Sequence, residues 1–194
     1  MKEYIIATNN KHKVEEIQQA LGIAIKLITL KELNHKEDIP ETSDTLKGNA
    51  KQKAEYIYNK FKKPCFADDT GLEVEVLGGR PGVFSARYAG EGCSFDDNIN
   101  LLLEEMEGKT NRKASFKTVI CLIEDGKEEY FEGVCEGSIL TQRYGKGGFG
   151  YDPIFIPKGY GESFAEMSLE QKNKISHRAK AVSKLVKYLN TKNK

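Results

Sequence analysis

The strongest restriction on the fold is a repeated change of apolar period in the first seventy residues. Tyr4-Ile5-Ile6-Ala7 is a short apolar run cut off by Thr8-Asn9-Asn10-Lys11. Val14, Ile17 and Leu21 then recur at helical spacing, so the chain opens as strand, polar loop and helix. Residues 25–30 predict a second strand, and a loop through Pro40 follows it. Across 47–61, Ala50, Ala54, Ile57 and Phe61 fall at helical intervals until Pro64 ends the pattern. Cys65-Phe66-Ala67 then predicts a short buried strand that delivers Asp68-Asp69.

The remainder mixes turn, helix and hairpin signals. Glycine is dense over 71–92, with Gly78-Gly79-Arg80-Pro81-Gly82 as turn chemistry. Ser94 and Asp97 have capping-box spacing ahead of Phe95, Ile99, Leu102, Leu103 and Met106. Two β-rich stretches, 115–123 and 128–140, flank Asp125-Gly126, a two-residue hairpin turn that places Cys121 opposite Tyr130. Ser168 and Gln171 form a second capping box. Ile175, Ala179, Val182, Leu185, Val186 and Leu189 then predict a C-terminal amphipathic helix, with 191–194 as a frayed tail. Helices alternate with strands early and a hairpin lies late. An α/β fold is expected: a mixed β-sheet with flanking helices, two lobes around a central cleft, in one domain spanning 1–194.

Composition narrows the partners. Of 194 residues, 39% are hydrophobic and 30% charged, which suits a globular core and argues against disorder. Thirty Lys+Arg against twenty-nine Asp+Glu leave a net charge of +1, so an extended nucleic-acid partner is disfavoured while a small anion is not. Four apolar residues before Thr8 are too few for a signal peptide, and no run is long enough to span a membrane. A cytoplasmic address and no membrane partner are expected. Cys65, Cys93, Cys121 and Cys135 lack Cys-x-x-Cys spacing and are expected as reduced structural thiols. His12 and His35 lack ligand spacing and are expected at the surface.

Four segments could carry chemistry. The loop from Thr8 to Lys13 offers amides, lysines and the backbone N–H groups of a helix start, an anion cradle, although it also serves as a solvated turn with an Asn cap. Asp68-Asp69 at a strand end are repelling carboxylates that call for a cation or strong donors, and a hard divalent ion such as Mg²⁺ meets that need. Glu41 could add a third carboxylate; alone it reads as surface. Residues 145–150 match G-x-G-x-x-G, but Pro153 argues against the helix that a dinucleotide fingerprint requires. What remains is a loop presenting Phe149, Tyr151 and Asp152 to a base, or a plain turn. Lys172 with Ser176-His177-Arg178 supplies donors for carbonyl or phosphate oxygens, or else a solvated helix face. Together the four segments describe a Mg²⁺-dependent nucleotide enzyme.

In combination these residues are recognisable. Ala7 through Lys13, Asn49-Ala50 with Lys53-Ala54, and Ala67 through Leu72 are followed by Leu77 through Tyr88, Gly148 through Phe155 and Ser176-His177-Arg178. In that order and over essentially the whole chain, they resemble the inosine triphosphate pyrophosphatase family, also called Ham1-like pyrophosphatases. The resemblance implies hydrolysis of deaminated purine nucleoside triphosphates (ITP, dITP and XTP) to monophosphate and pyrophosphate, by a homodimer. It further implies that Thr8, Asn10, Lys13 and Lys53 bind the triphosphate and that Glu41, Asp68 and Asp69 hold Mg²⁺. Asp69 would direct or deprotonate the attacking water, and Thr70 would add a contact. Phe149, Gly150, Tyr151 and Asp152, with Lys172, His177 and Arg178, would form the base pocket. Asn9 and Gly48 depart from a glycine and a glutamate frequent at those places. A Maf-like pyrophosphatase shares the opening loop but gives no reason for Ser176-His177-Arg178.

Attack is expected at the α-phosphorus, with pyrophosphate leaving. A donor such as Arg178 facing the purine 6-oxo group would reject adenine, whose amino group leaves that donor unpaired. Positive charge from Lys13, Lys53, Lys172 and Arg178 is expected to converge beside Glu41, Asp68 and Asp69.

Overall fold

A computed structural model describes residues 2–21 and 25–191. The frayed tail expected at 192–194 lies outside the described residues. In chain order the elements are β1 (Lys2–Ile6), α1 (Lys11–Leu21), β2 (Ile25–Thr29), α2 (Leu46–Phe61), β3 (Cys65–Val74) and β4 (Pro81–Gly82). There follow α3 (Phe95–Glu105), β5 (Lys113–Glu124), β6 (Lys127–Ile139), β7 (Phe155–Pro157), α4 (Leu169–Ile175) and α5 (His177–Thr191). The strands form a seven-stranded sheet in the order β2-β1-β3-β5-β6-β7, with β4 paired to β3. β1 runs parallel to β2 and β3, while β4 and β7 are antiparallel to β3 and β6, so the sheet is mixed as expected.

The chain divides into two compact units. The first comprises Met1–Asp69, Thr118–Gly133 and Arg178–Lys194. Side-chain alternation along its strands separates two faces. Tyr4, Ile6 and Phe66 join Ile17 and Leu21 of α1 and Ala181, Val182, Leu185 and Leu189 of α5 in one apolar cluster. Burying a side chain the size of Leu or Phe there contributes about 1.5–3 kcal/mol. Cys65 points the other way, its Sγ donating to the Ala54 carbonyl of α2 at 3.3 Å. α2 starts at Thr45, whose hydroxyl accepts from Gly48 N at 3.0 Å, and it ends at Lys62 in the left-handed region. Asp125 and Gly126 both have positive φ (53° and 73°), as a two-residue hairpin turn of right-handed twist requires. Cys121 bonds to Tyr130 across this hairpin, and burial pushes its thiol up to about 11. All four cysteines are free thiols.

The second unit comprises Thr70–Lys117 and Val134–His177. Ile99, Leu102 and Met106 of α3 pack with Leu72, Val74, Phe116, Phe155 and Phe164. Ser94 and Asp97 make both bonds of the predicted capping box.

Three expectations change. β3 runs on to Val74, so the turn begins after it, at Gly78 and Gly79. The last helix is two: Ser176 closes α4 by donating its N–H to the Lys172 carbonyl, then turns extended (ψ 154°) before α5 begins at His177. His35 is buried, with its ring centroid 5.7 Å from that of Tyr56 and 6.1 Å from that of Phe61. Among the described residues no helix is long and apolar enough to cross a membrane.

Candidate active site

In the first unit the polar loop after β1 builds the start of α1. Asn10 is the cap: its carbonyl accepts from Val14 N at 3.2 Å and its Oδ1 accepts from Lys13 N at 3.2 Å. Thr8 Oγ1 accepts from Asn10 N at 3.2 Å and so fixes the loop's bend. Helical geometry then turns Lys13 and Glu16, three residues apart, to one side. Lys13 Nζ is 3.0 Å from Asp68 Oδ2, and Arg178 Nε is 3.7 Å from the same oxygen. Arg178 Nη1 bonds to Glu16 Oε2. Arg178 lies at the start of α5, where the helix dipole disfavours a cation, so these two carboxylates supply the counter-charge a buried guanidinium needs.

Burial and neighbouring charges oppose one another in this group. Burial alone would raise the Asp68 carboxyl, but Lys13, Arg178 and Lys53 outweigh it and hold Asp68 well below the usual carboxylate range. Burial also pulls Lys13 below the ordinary ammonium value despite Asp68 beside it.

Asp69 follows Asp68 on β3 and meets different partners. Asn49 and Lys53 are four apart on α2 and share a face. Asn49 Nδ2 donates to Asp69 Oδ2 at 3.2 Å, while its Oδ1 accepts from Ser43 N at 2.9 Å. Lys53 Nζ is 3.4 Å from Asp69 Oδ1 and bonds to Glu41 Oε1. Burial pushes the Asp69 carboxyl up, with the Glu41 charge adding to it against the pull of Lys53, Lys13 and Asn49. Burial would lower Lys53, yet Asp69, Glu41 and Asp68 outweigh it and keep the ammonium above its ordinary value. Gly48 leaves room for Ser43, whose Oγ lies 1.9 Å from where a Cβ would stand.

This second group fits a hard cation. The Glu41 and Asp69 carboxylates converge on one positive centre, the Lys53 ammonium. Mg²⁺ is characteristically held by one or two carboxylates plus substrate phosphates. The trio of Glu41, Asp68 and Asp69 is not assembled: Asp68 is committed to Lys13 and Arg178. Among the described residues, no three or more His, Cys, Asp or Glu side chains are arranged to hold a metal.

The second unit carries the aromatic group. Asp152 Oδ2 accepts from Phe149 N at 2.8 Å and from Lys172 Nζ at 2.7 Å. The Lys172 ammonium lies 5.0 Å from the Phe149 ring centroid and 5.5 Å from that of Phe164, within cation–π range. The His177 ring stacks on Phe116 at 4.6 Å and 14°, and is buried rather than solvated. Gly148 is obligatory here: its φ is +71°, and a Cβ would sit 2.2 Å from Asp152 Oδ2. Gly150 also has positive φ, at +59°. Tyr151 belongs to the core, its hydroxyl donating to the Ser85 carbonyl at 3.0 Å, so Phe149 supplies the aromatic face of this loop. Thr70 is half-buried on β3.

Of the four cations expected together, Lys13, Lys53 and Arg178 join the carboxylates of the first unit, whereas Lys172 pairs with Asp152 in the second. Sequence reasoning missed Glu16 and gave Asn49 no role. Their signals were local: Glu16 stands three after Lys13, and Asn49 four before Lys53.

The chain matches known proteins both by sequence and by fold. The Ham1 family model matches residues 4–188. The chain is 53% identical over 186 residues to a dITP/XTP pyrophosphatase of Flavobacterium psychrophilum, covering 96% of this chain and 98% of that one. It is 53% identical over 190 residues to a dITP/XTP pyrophosphatase of Porphyromonas gingivalis, covering 97% and 98%. Among solved structures, the Staphylococcus aureus Ham1 protein superposes with a TM-score of 0.90 at 39% identity, covering 98% of this chain and 100% of that chain.

Proposed function

The chain belongs to the Ham1 family, and from that premise we propose that it hydrolyses dITP, XTP and ITP to the nucleoside monophosphate and pyrophosphate with Mg²⁺ as cofactor. The observation that carries the reading is the meeting of Glu41 and Asp69 on a single cationic centre, with the cations Lys13 and Arg178 held in the same unit. Two carboxylates and several fixed cations suit a metal–triphosphate better than any uncharged ligand.

Each residue then has a task. Glu41 and Asp69 hold the divalent cation, which when bound neutralises phosphate charge and favours ionisation of a water. Lys13 and Lys53, with the loop shaped by Thr8 and Asn10, take the phosphate oxygens. Asp69 is the proton acceptor: burial raises its carboxyl, and Asn49 fixes one oxygen so that the other stays directed. Asp68 does not touch the reacting atoms in this scheme; it holds Lys13 and Arg178 in position. Thr70 adds a substrate contact.

For the base, Phe149 offers a stacking face, and Gly150 and Tyr151 hold the loop that presents it. Asp152, Lys172 and His177 are assigned the hydrogen bonding. Arg178 donates to the purine 6-oxo oxygen, its guanidinium oriented by Glu16. Adenine would leave that donor unpaired, at a cost of about 1–3 kcal/mol.

The test is a product analysis. The protein is incubated with dITP, XTP, ITP, GTP and ATP, with and without Mg²⁺, and the products are resolved by ion-exchange chromatography. Monophosphate and pyrophosphate from the first three, only with Mg²⁺, is the expected result. Diphosphate and orthophosphate would overturn attack at the α-phosphorus.

A further inference from the structure

The Glu41–Lys53–Asp69 bridge has a consequence for the order in which ligands bind. The Lys53 ammonium bonds to Glu41 and lies 3.4 Å from Asp69. Both carboxylates therefore face a cation before any metal arrives. A divalent ion taking those oxygens would stand where the ammonium now stands, and two cations cannot share that position in a buried site. Lysine suits such a role, because it is a compact charge on a flexible four-carbon stem and can swing without backbone movement. Lys53 starts from the middle of α2, a rigid element, so the stem alone must move.

We propose that Lys53 is a built-in counter-ion that competes with the divalent cation for Glu41 and Asp69, keeping the site closed to free metal until nucleotide phosphates draw the lysine away. The inference rests on the assignment of Glu41 and Asp69 to the metal. It adds that the two ligands cooperate. Phosphate oxygens attract Lys53, the released carboxylates accept the metal, and by reciprocity bound metal strengthens the lysine's hold on phosphate. Free Mg²⁺, abundant in any cell, would then not occupy the site unproductively.

The experiment measures Mn²⁺ binding by electron paramagnetic resonance, without nucleotide, to the native protein and to Lys53→Met, Lys53→Gln and Asp69→Asn. Removing a full charge from between the carboxylates should tighten Mn²⁺ binding at least about tenfold in both Lys53 variants. Unchanged or weaker binding overturns the competition and leaves the metal assignment standing. If neither the native protein nor any Lys53 variant binds Mn²⁺ better than Asp69→Asn does, the metal assignment fails and takes the inference with it. Should the Lys53 variants not fold, the native protein carries the same test through its lysine ammonium nuclear magnetic resonances. Mg²⁺ with added pyrophosphate must shift the Lys53 Nζ signal far more than Mg²⁺ alone, and an equal shift with Mg²⁺ alone, or none with both, refutes the exchange.

Discussion

Changing Asp68 and Asp69 separately to asparagine should give opposite results, although the residues are neighbours in sequence. Asp68 is fully buried against Lys13 and Arg178, with its carboxyl held far below the usual range. Removing one partner of a buried pair typically costs about 3–5 kcal/mol, because the remaining charge has no compensation. In a chain of this size that loss lowers Tm by about 6–20 °C. The sign with pH follows from the depressed pKa. The stabilisation is fully present above the unfolded value of about 3.9 and disappears as pH falls through the lower folded value. The gap between native protein and Asp68→Asn should therefore be full at neutral pH and close only in strong acid.

Asp69 has the reverse signature. Its carboxyl is raised by burial, so ionising it costs stability at neutral pH, and a neutral asparagine relieves that cost. Asp69→Asn should melt at or above the native temperature while turnover falls at least about a hundredfold through loss of the proton acceptor. Melting followed by circular dichroism at several pH values, beside pyrophosphate release under steady state, reads both. A destabilised Asp69→Asn, or an Asp68→Asn that melts like the native protein, would refute the division of labour between the two carboxylates.

Four further outcomes can be checked on single and paired variants. Lys172→Met strips Asp152 of its ammonium and should cost about 3–5 kcal/mol in urea denaturation. Adding Asp152→Asn to it should recover part of that loss, and a fully additive pair would exclude coupling. Arg178→Ala should shrink the ratio of ITP to ATP turnover by about 5- to 150-fold if that guanidinium reads the 6-oxo group, and an unchanged ratio moves recognition elsewhere. Gly48→Ala drives a methyl into the Ser43 side chain, Oγ and Cβ alike, and should cost about 1–3 kcal/mol, with Ser43→Gly restoring part of it in thermal melts. His35→Phe should leave stability unchanged or raise it by about 1–2 kcal/mol, because both buried ring nitrogens lack hydrogen-bond partners between Tyr56 and Phe61.

The order of elements was legible because it depends on local period and turn chemistry. Val14, Ile17 and Leu21 announce α1, Asp125-Gly126 the hairpin, and Ser94 with Asp97 the start of α3. The break at Ser176 was not legible, since Ile175 and Ala179 keep the apolar stripe in step across it and only backbone dihedrals separate α4 from α5. His35 escaped for a related reason: its burial depends on the rings of Tyr56 and Phe61, more than twenty residues away in sequence. Asp68-Asp69 was the more instructive case. Read as adjacent charges, the pair asks for one shared cation. On an extended strand, however, neighbouring side chains leave opposite faces. Phe66 and Asp68 go toward α1 and α5, while Cys65 and Asp69 go toward α2. Each carboxylate then finds its own partners.

That divergence also separates a self-neutral group from an unbalanced one. Glu16, Arg178, Asp68 and Lys13 are two acids against two bases, so their charges cancel and the geometry can persist with no ligand present. Glu41, Asp69 and Lys53 are two acids against one base, a residual negative charge in a mostly buried place. A divalent cation would turn that residual charge positive, which attracts a triphosphate, and the rest of the phosphate charge would fall to cations such as Lys13. The imbalance, invisible in an overall charge of +1, is what suits the α2 side of β3 to a metal, while the self-neutral α1 side holds Lys13 and Arg178 ready for substrate oxygens.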